Sequence, residues 1–239
     1  DEFAHELVEL SASNPTIGRL LGEASFPTSF AFDVARRMAV PNGPDTSVDH
    51  GRYALSLSTV LASMTDDPAA CLDLLLDPST TYALASWKVL DTSMVADFVV
   101  SGLHVAVTED PDRLADGYQV LRLLTRAANG PLDGGMSPGM ATGIAAALPG
   151  YIDTLAPAIE QEGATPVVIR AVSPSIELGT YDDLVDLFGA VIRSPEAQPA
   201  IGIALAAYTF DTFERVGGNA TTRPDVTHLA EFADLIGDA

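Results

Sequence analysis

Six pairs of a small polar residue followed by proline read as helix starts in this chain: Asn14-Pro15, Asp67-Pro68, Asp77-Pro78, Asp110-Pro111, Ser137-Pro138 and Ser194-Pro195. Each pair is a helix start. The polar side chain accepts a first-turn N–H, and proline at the first helical position gives up only a donor that had no intrahelical acceptor. Thr180 with Asp183 adds a capping-box pattern after Gly179. Apolar residues between these starts recur at spacings of three and four, as in Val95, Phe98, Val99, Gly102, Leu103 and Ala106. Tyr53, Leu57, Val60, Leu61 and Met64 form a second stripe, Leu184, Leu187, Phe188 and Val191 a third, and Leu229, Phe232, Ala233 and Ile236 a last one. The pattern from Ile144 to Ile159 crosses Pro149, where a kink or break is expected. The chain is therefore expected to be all-α, an array or bundle of about ten short antiparallel helices. The one strand-like run, Thr165 to Val172, has no second strand to pair with in this reading and is taken as a connector or short helix.

A faint repeat accompanies the caps. Counting back 11, 8, 7 and 4 residues from Pro68 gives Leu57, Val60, Leu61 and Met64, and from Pro195 it gives Leu184, Leu187, Phe188 and Val191. From Pro111 the same count gives Val100, Leu103, His104 and Val107. These prolines lie 43 and 84 residues apart, near one and two units of the period that α-solenoid repeats use. An α-solenoid-like arrangement is one candidate, and chance matches in an ordinary bundle are the other. Turn-rich loops at Val40–Val48 and Asn129–Met136 divide the chain into helical units 1–40, 49–129 and 137–239, read together as one continuous helical domain.

Charge narrows the partners. Thirty-three acidic residues face 12 basic ones, a formal charge of −21, with Lys88 the sole lysine and Arg36-Arg37 the only adjacent basic pair. Such a surface repels phosphate backbones and anionic lipid, so neither nucleic acid nor membrane insertion is expected. No run of apolar residues is long enough for a membrane span, and Asp1-Glu2-Phe3 opens without a signal-peptide pattern. The abrupt start and the Ile236–Ala239 end suggest a piece of something longer. The acidic, Ala-rich, lysine-poor composition fits a high-GC bacterium.

Residues with chemical potential are few. Cys71 lies within an apolar helix pattern and reads as a buried, inert thiol. Gly135-Met136-Ser137-Pro138-Gly139 matches the G-x-S-x-G nucleophile elbow in letters only: no sheet feeds it, and Pro138 makes Ser137 a helix cap. His5, His50, His104 and His228 have no metal-ligand spacing. His104 reads as a partly buried core residue, with a functional role only if Asp97 or Glu109 is brought to it. The clusters Asp66-Asp67, Glu109-Asp110-Asp112 and Asp182-Asp183-Asp186 lack a calcium-loop pattern and read as helix-start and solubilising acids, with weak divalent-cation binding as the alternative. No cofactor and no metal is expected. Aromatic side chains offer the candidate interaction surface: Trp87, as an exposed anchor or a seal between helices, and the ridge from Tyr208 through Phe210 to Phe213.

One set of segments resembles a known family. Asp67-Pro68-Ala69-Ala70-Cys71-Leu72, Tyr82-Ala83-Leu84-Ala85-Ser86-Trp87, and the helix from Asp91 to Asp110-Pro111 resemble the helical, TPR-like region of actinobacterial type VII secretion-associated exported proteins and polymorphic toxins. Tyr151-Ile152-Asp153 and Ala230 to Gly237 resemble that region's recurring segments. The resemblance covers the chain from about residue 50 onward. It implies a non-catalytic α-helical scaffold or protein-interaction region of a larger exported protein, secreted or envelope-associated, with a protein partner. Without it the location would be cytoplasmic. The chain lacks the Trp-x-Gly module and the export Tyr placed four residues before an acid, and no family catalytic residue carries over. Two alternatives stay open: a hydrolase-like enzyme whose acids and His104 converge only in the fold, and a homodimerisation module.

Overall fold

The computed structural model describes residues 27–39, 50–129, 135–159 and 166–217, with single positions at 6–8, 10, 20, 132 and 236. Its helices are α1 (Thr28–Met38), α2 (His50–Ala62), α3 (Pro68–Leu75), α4 (Pro78–Ser86), α5 (Thr92–His104), α6 (Leu114–Ala128), α7 (Pro138–Ala147), α8 (Pro149–Ala158), α9 (Tyr181–Ile192) and α10 (Gln198–Gly217). A two-stranded ribbon, β1 (Val167–Ile169) and β2 (Ile176–Gly179), lies between α8 and α9 in sequence. Among the described residues the fold is all-α apart from that ribbon.

The predicted caps are largely in place. Asp67 accepts the Ala70 N–H at 3.1 Å and Asp77 that of Ser79 at 3.2 Å. Asp91, which opens α5, accepts the Met94 N–H at 3.0 Å. That bond, with the Ser93 hydroxyl, holds its carboxyl below the usual aspartate range. Thr180 and Asp183 complete the capping box, each side chain accepting the other's backbone N–H. Asp110-Pro111 opens a 3-10 turn, Pro111–Arg113, that leads directly into α6. Pro149, with no N–H, splits the long apolar stripe into α7 and α8. Ser194-Pro195 differs from expectation. The Ser194 hydroxyl donates to Glu196 at 2.9 Å instead of accepting a first-turn N–H, so the pair forms a turn and α10 begins at Gln198. Asn14-Pro15 and the Val40–Val48 loop lie outside the described residues, as does the C-terminal stripe except for Ile236, which packs against the core.

The ribbon corrects the reading of Thr165–Val172. Val167–Ile169 pairs antiparallel with Ile176–Gly179, a partner whose alternation buries Ile176 and Leu178 and exposes Glu177. The second strand is short and stands beyond Pro174, outside the Thr165–Val172 run. Buried on α6 and α8, the ribbon roofs part of the helical core.

At the centre lies α5, packed most extensively against α7 and then against α3 and α2. Small residues set the closeness. Cβ atoms added at Gly139 and Gly143 of α7 would come within 2.7 Å and 2.6 Å of Val95 and Val99. A Cβ on Gly102 of α5 would come within 3.0 Å of the α3 backbone at Cys71 and Leu72. Buried apolar residues from Ala31 to Tyr208 form one cluster, which crosses the Asn129–Met136 loop between α6 and α7.

Where α5 ends, Val105–Glu109 forms a π turn, closed by the Asp110 N–H on the Val105 carbonyl at 2.8 Å. Its effect is a one-residue shift of register. Buried Val99, Gly102 and Leu103 of α5 and Ala106 of the π turn stand one place earlier than the count back from Pro111 puts them. A π turn takes one residue more than an α turn, so it absorbs the displacement. His104 is therefore exposed, not partly buried as the repeat count suggested, while Leu61 and Phe188 at the matched positions are buried.

Candidate interaction face

Most chemically capable side chains are committed to joining helices. Ser137 is buried, donates its hydroxyl to the Leu84 carbonyl at 2.6 Å and accepts the Met140 N–H at 3.4 Å. Its own N–H bonds Ala85 at 2.6 Å. It therefore caps α7 and clasps it to the end of α4, a structural use of the G-x-S-x-G letters. Cys71 is fully buried, and burial pushes its thiol up to about 12, far from a reactive thiolate. Arg113 ties α3 to the start of α6 through Asp73, Asp116 and the Ala69 carbonyl. Burial works against its charge, yet the bonds to Asp116 and Asp73 hold its pKa above the usual value.

Tyr118 and Tyr151 stack edge to face with ring centres 5.2 Å apart. The Tyr151 hydroxyl donates to the Leu103 carbonyl at 2.7 Å, just before the π turn, and that of Tyr118 to the Tyr151 carbonyl at 3.3 Å. Burial raises both phenols, Tyr118 to about 12. Gly117 makes this possible, because a Cβ there would sit 2.2 Å from the Tyr151 hydroxyl.

His104 and Asp97 are both exposed on α5, two turns or about 10.5 Å apart along the axis. Of the acidic clusters, Asp67 and Asp183 serve as caps, and Asp66, Asp112, Asp182 and Asp186 are exposed. Among the described residues no group of three or more potential metal ligands comes together, and no helix is long and apolar enough to cross a membrane. An apolar void of about 10 Å³ lies among Leu103, Ile144, Tyr151, Leu184 and Phe188. It is about the size of one water, in a setting without polar partners for it, and far below the volume of a ligand site.

The aromatic candidates fall differently from expectation. Trp87, at the end of α4, is half-buried against Tyr53 of α2, ring centres 6.0 Å apart, and acts as a seal between helices. Tyr208 is buried and turns into the core, so it is not a surface residue. The side chain of Phe213 lies outside the described residues. What α10 presents outward is a neighbouring stripe: Pro199, Gly202, Ile203, Ala206, Ala207 and Phe210 are exposed, Ile203 by 68% and Phe210 by 66%. Ala197, Ile201, Ala204 and Tyr208 occupy the buried side. No charged residue occurs from Gln198 to Phe210, about 18 Å of helix, in a chain with 19% charged residues.

The sequence held a signal for this face that the aromatic count missed. A helix apolar all round belongs inside a protein or against something else. Two parallel stripes, 201-204-208 and 203-206-207-210, were both readable from residue spacing. Comparison of the chain with protein-family models, with curated proteins and with solved structures gives no match.

Proposed function

We propose that this chain is a non-catalytic α-helical scaffold whose work is protein–protein contact, as part of a larger exported bacterial protein of the type VII secretion-associated kind that its segments resemble. One observation carries the contact reading. The outer face of α10 exposes Ile203 and Phe210 within the charge-free stretch Gln198–Phe210, while Ala197, Ile201, Ala204 and Tyr208 on its other side are buried. Exposed apolar faces of this kind, rimmed by polar surface, mark binding sites. The polar groups that could do chemistry, Ser137, Tyr118 and Tyr151, are engaged in helix-to-helix hydrogen bonds.

Photo-crosslinking in the producing cell tests this. A photoreactive residue at position 203 or 210 should give one discrete protein adduct, and one at Asp186, exposed on α9, should give none. Absence of any adduct at 203 and 210, with the fold intact, sinks the reading.

A further inference from the structure

Resting on that interaction reading, we infer that the occupant of the α10 face is a second copy of this chain, docked helix against helix about a two-fold axis. Charge argues for it first. Each copy carries a formal charge of −21, so two copies repel wherever acidic surfaces meet. Between Gln198 and Phe210 the face offers two copies a contact with no carboxylate in it, and the first acids, Asp211 and Glu214, come only towards the helix C-terminus. A basic partner would be met by an acidic docking site, whereas this face is neutral.

The residue pattern argues for it second. A closed pair needs a self-complementary surface. A two-fold axis crossing α10 between Ala206 and Ala207 sets Ile203 of each copy opposite Phe210 of the other and Ala206 opposite Ala207. Large meets large at the flanks and small meets small at the crossing, where short side chains let the helix axes approach closely. Gly202 belongs to the same contact: a Cβ added there meets no heavy atom of its own chain within 4 Å.

Sedimentation equilibrium on the full chain tests the inference at low and high salt. Association to twice the 25.0 kDa monomer mass is expected. It should tighten as salt rises from about 0.1 to about 1 M, because screening removes the repulsion between copies. Ile203→Glu or Phe210→Glu should weaken it by on the order of thirtyfold or more while leaving unchanged the melting temperature of the monomer, read at concentrations too low for association. Ala206→Cys should yield a disulfide-linked pair on oxidation, since the native Cys71 is buried, and Asp186→Cys should not. A monomer at every salt concentration overturns the inference, as does association that weakens with salt or ignores Ile203→Glu. If the chain is monomeric but position 203 still cross-links to a protein of another mass, the second copy is excluded and the interaction face stands. If neither occurs, both fail.

Discussion

A Cβ built on Gly143 of α7 would lie 2.6 Å from Val99, whereas one built on Gly202 of α10 would meet no heavy atom within 4 Å. Both glycines sit within helices, where glycine is unfavourable by about 1 kcal/mol relative to alanine. At Gly143 the reason is internal, since only a bare backbone admits α5 so closely. At Gly202 no reason lies within the described part of the chain. The same holds for size: Val95 and Val99 press into α7, while Ile203 and Phe210 project from α10. A small residue thus records a close approach, and the two helices differ in whether its partner belongs to the described fold.

Changes in the packed region should be the most damaging. Gly117→Ala would force the Tyr151 hydroxyl away from the Leu103 carbonyl, combining overpacking with a broken buried hydrogen bond. We expect a loss of about 3 kcal/mol or more, read by urea denaturation. A loss below about 1 kcal/mol would mean that the α5–α6–α8 junction yields easily, and the contrast with α10 would blur.

Alkaline pH should also act on the packed region. Its Tyr118 and Tyr151 phenols and the Cys71 thiol have folded pKa values raised by burial, so the folded chain holds these protons after the unfolded chain has released them. Their contribution is complete below the unfolded values, near 9 for the thiol and 10 for the phenols. It is then lost as pH rises toward the folded values, by about 1.4 kcal/mol per pH unit per group. Denaturation midpoints should be level from pH 7 to about 8.5 with respect to these groups and fall steeply above 10. Midpoints unchanged at about pH 11 would contradict the burial of the pair.

Gly143→Ala against Gly202→Ala tests the comparison directly. The first should destabilise by about 1–2 kcal/mol, overpacking outweighing helix propensity, and the second should stabilise the monomer by about 0.5–1 kcal/mol. Equal signs in thermal melts would break the distinction. The smallest effect belongs to Thr142 of α7, whose buried hydroxyl has no hydrogen-bond partner among the described residues. Thr142→Val should leave stability unchanged or raise it by up to about 1 kcal/mol, because no bond is lost with the hydroxyl. A marked loss would reveal a partner for it.

Much of the architecture was legible because its signals are local. Asp67, Asp77, Asp91, Ser137 and Thr180 each bond a backbone N–H two or three residues away, within reach of a sequence pattern. The β1–β2 ribbon was missed because three- and four-residue strands are defined by pairing across a turn. His104 falls on different faces by the two sequence patterns: the count back from Pro111 places it inside and the Val95–Ala106 stripe leaves it outside, and the π turn that separates the two registers shows only in the fold. For the candidate face, the charge-free run was visible, but the choice between Tyr208 and Phe210 as the outward residue was not. Both lie on apolar stripes of one helix, and which stripe turns inward depends on what α7 and α8 offer it.

Sequence alone determined the helical class, most helix starts, the break at Pro149 and the structural role of Ser137, because caps and apolar periodicity act over one or two turns. Tertiary structure alone decided that α5 runs through the centre, that Tyr151 reaches across to the Leu103 carbonyl, and that Ile203 and Phe210 face outward. Those outcomes depend on contacts between residues far apart in the chain, whose geometry exists only once the helices have packed.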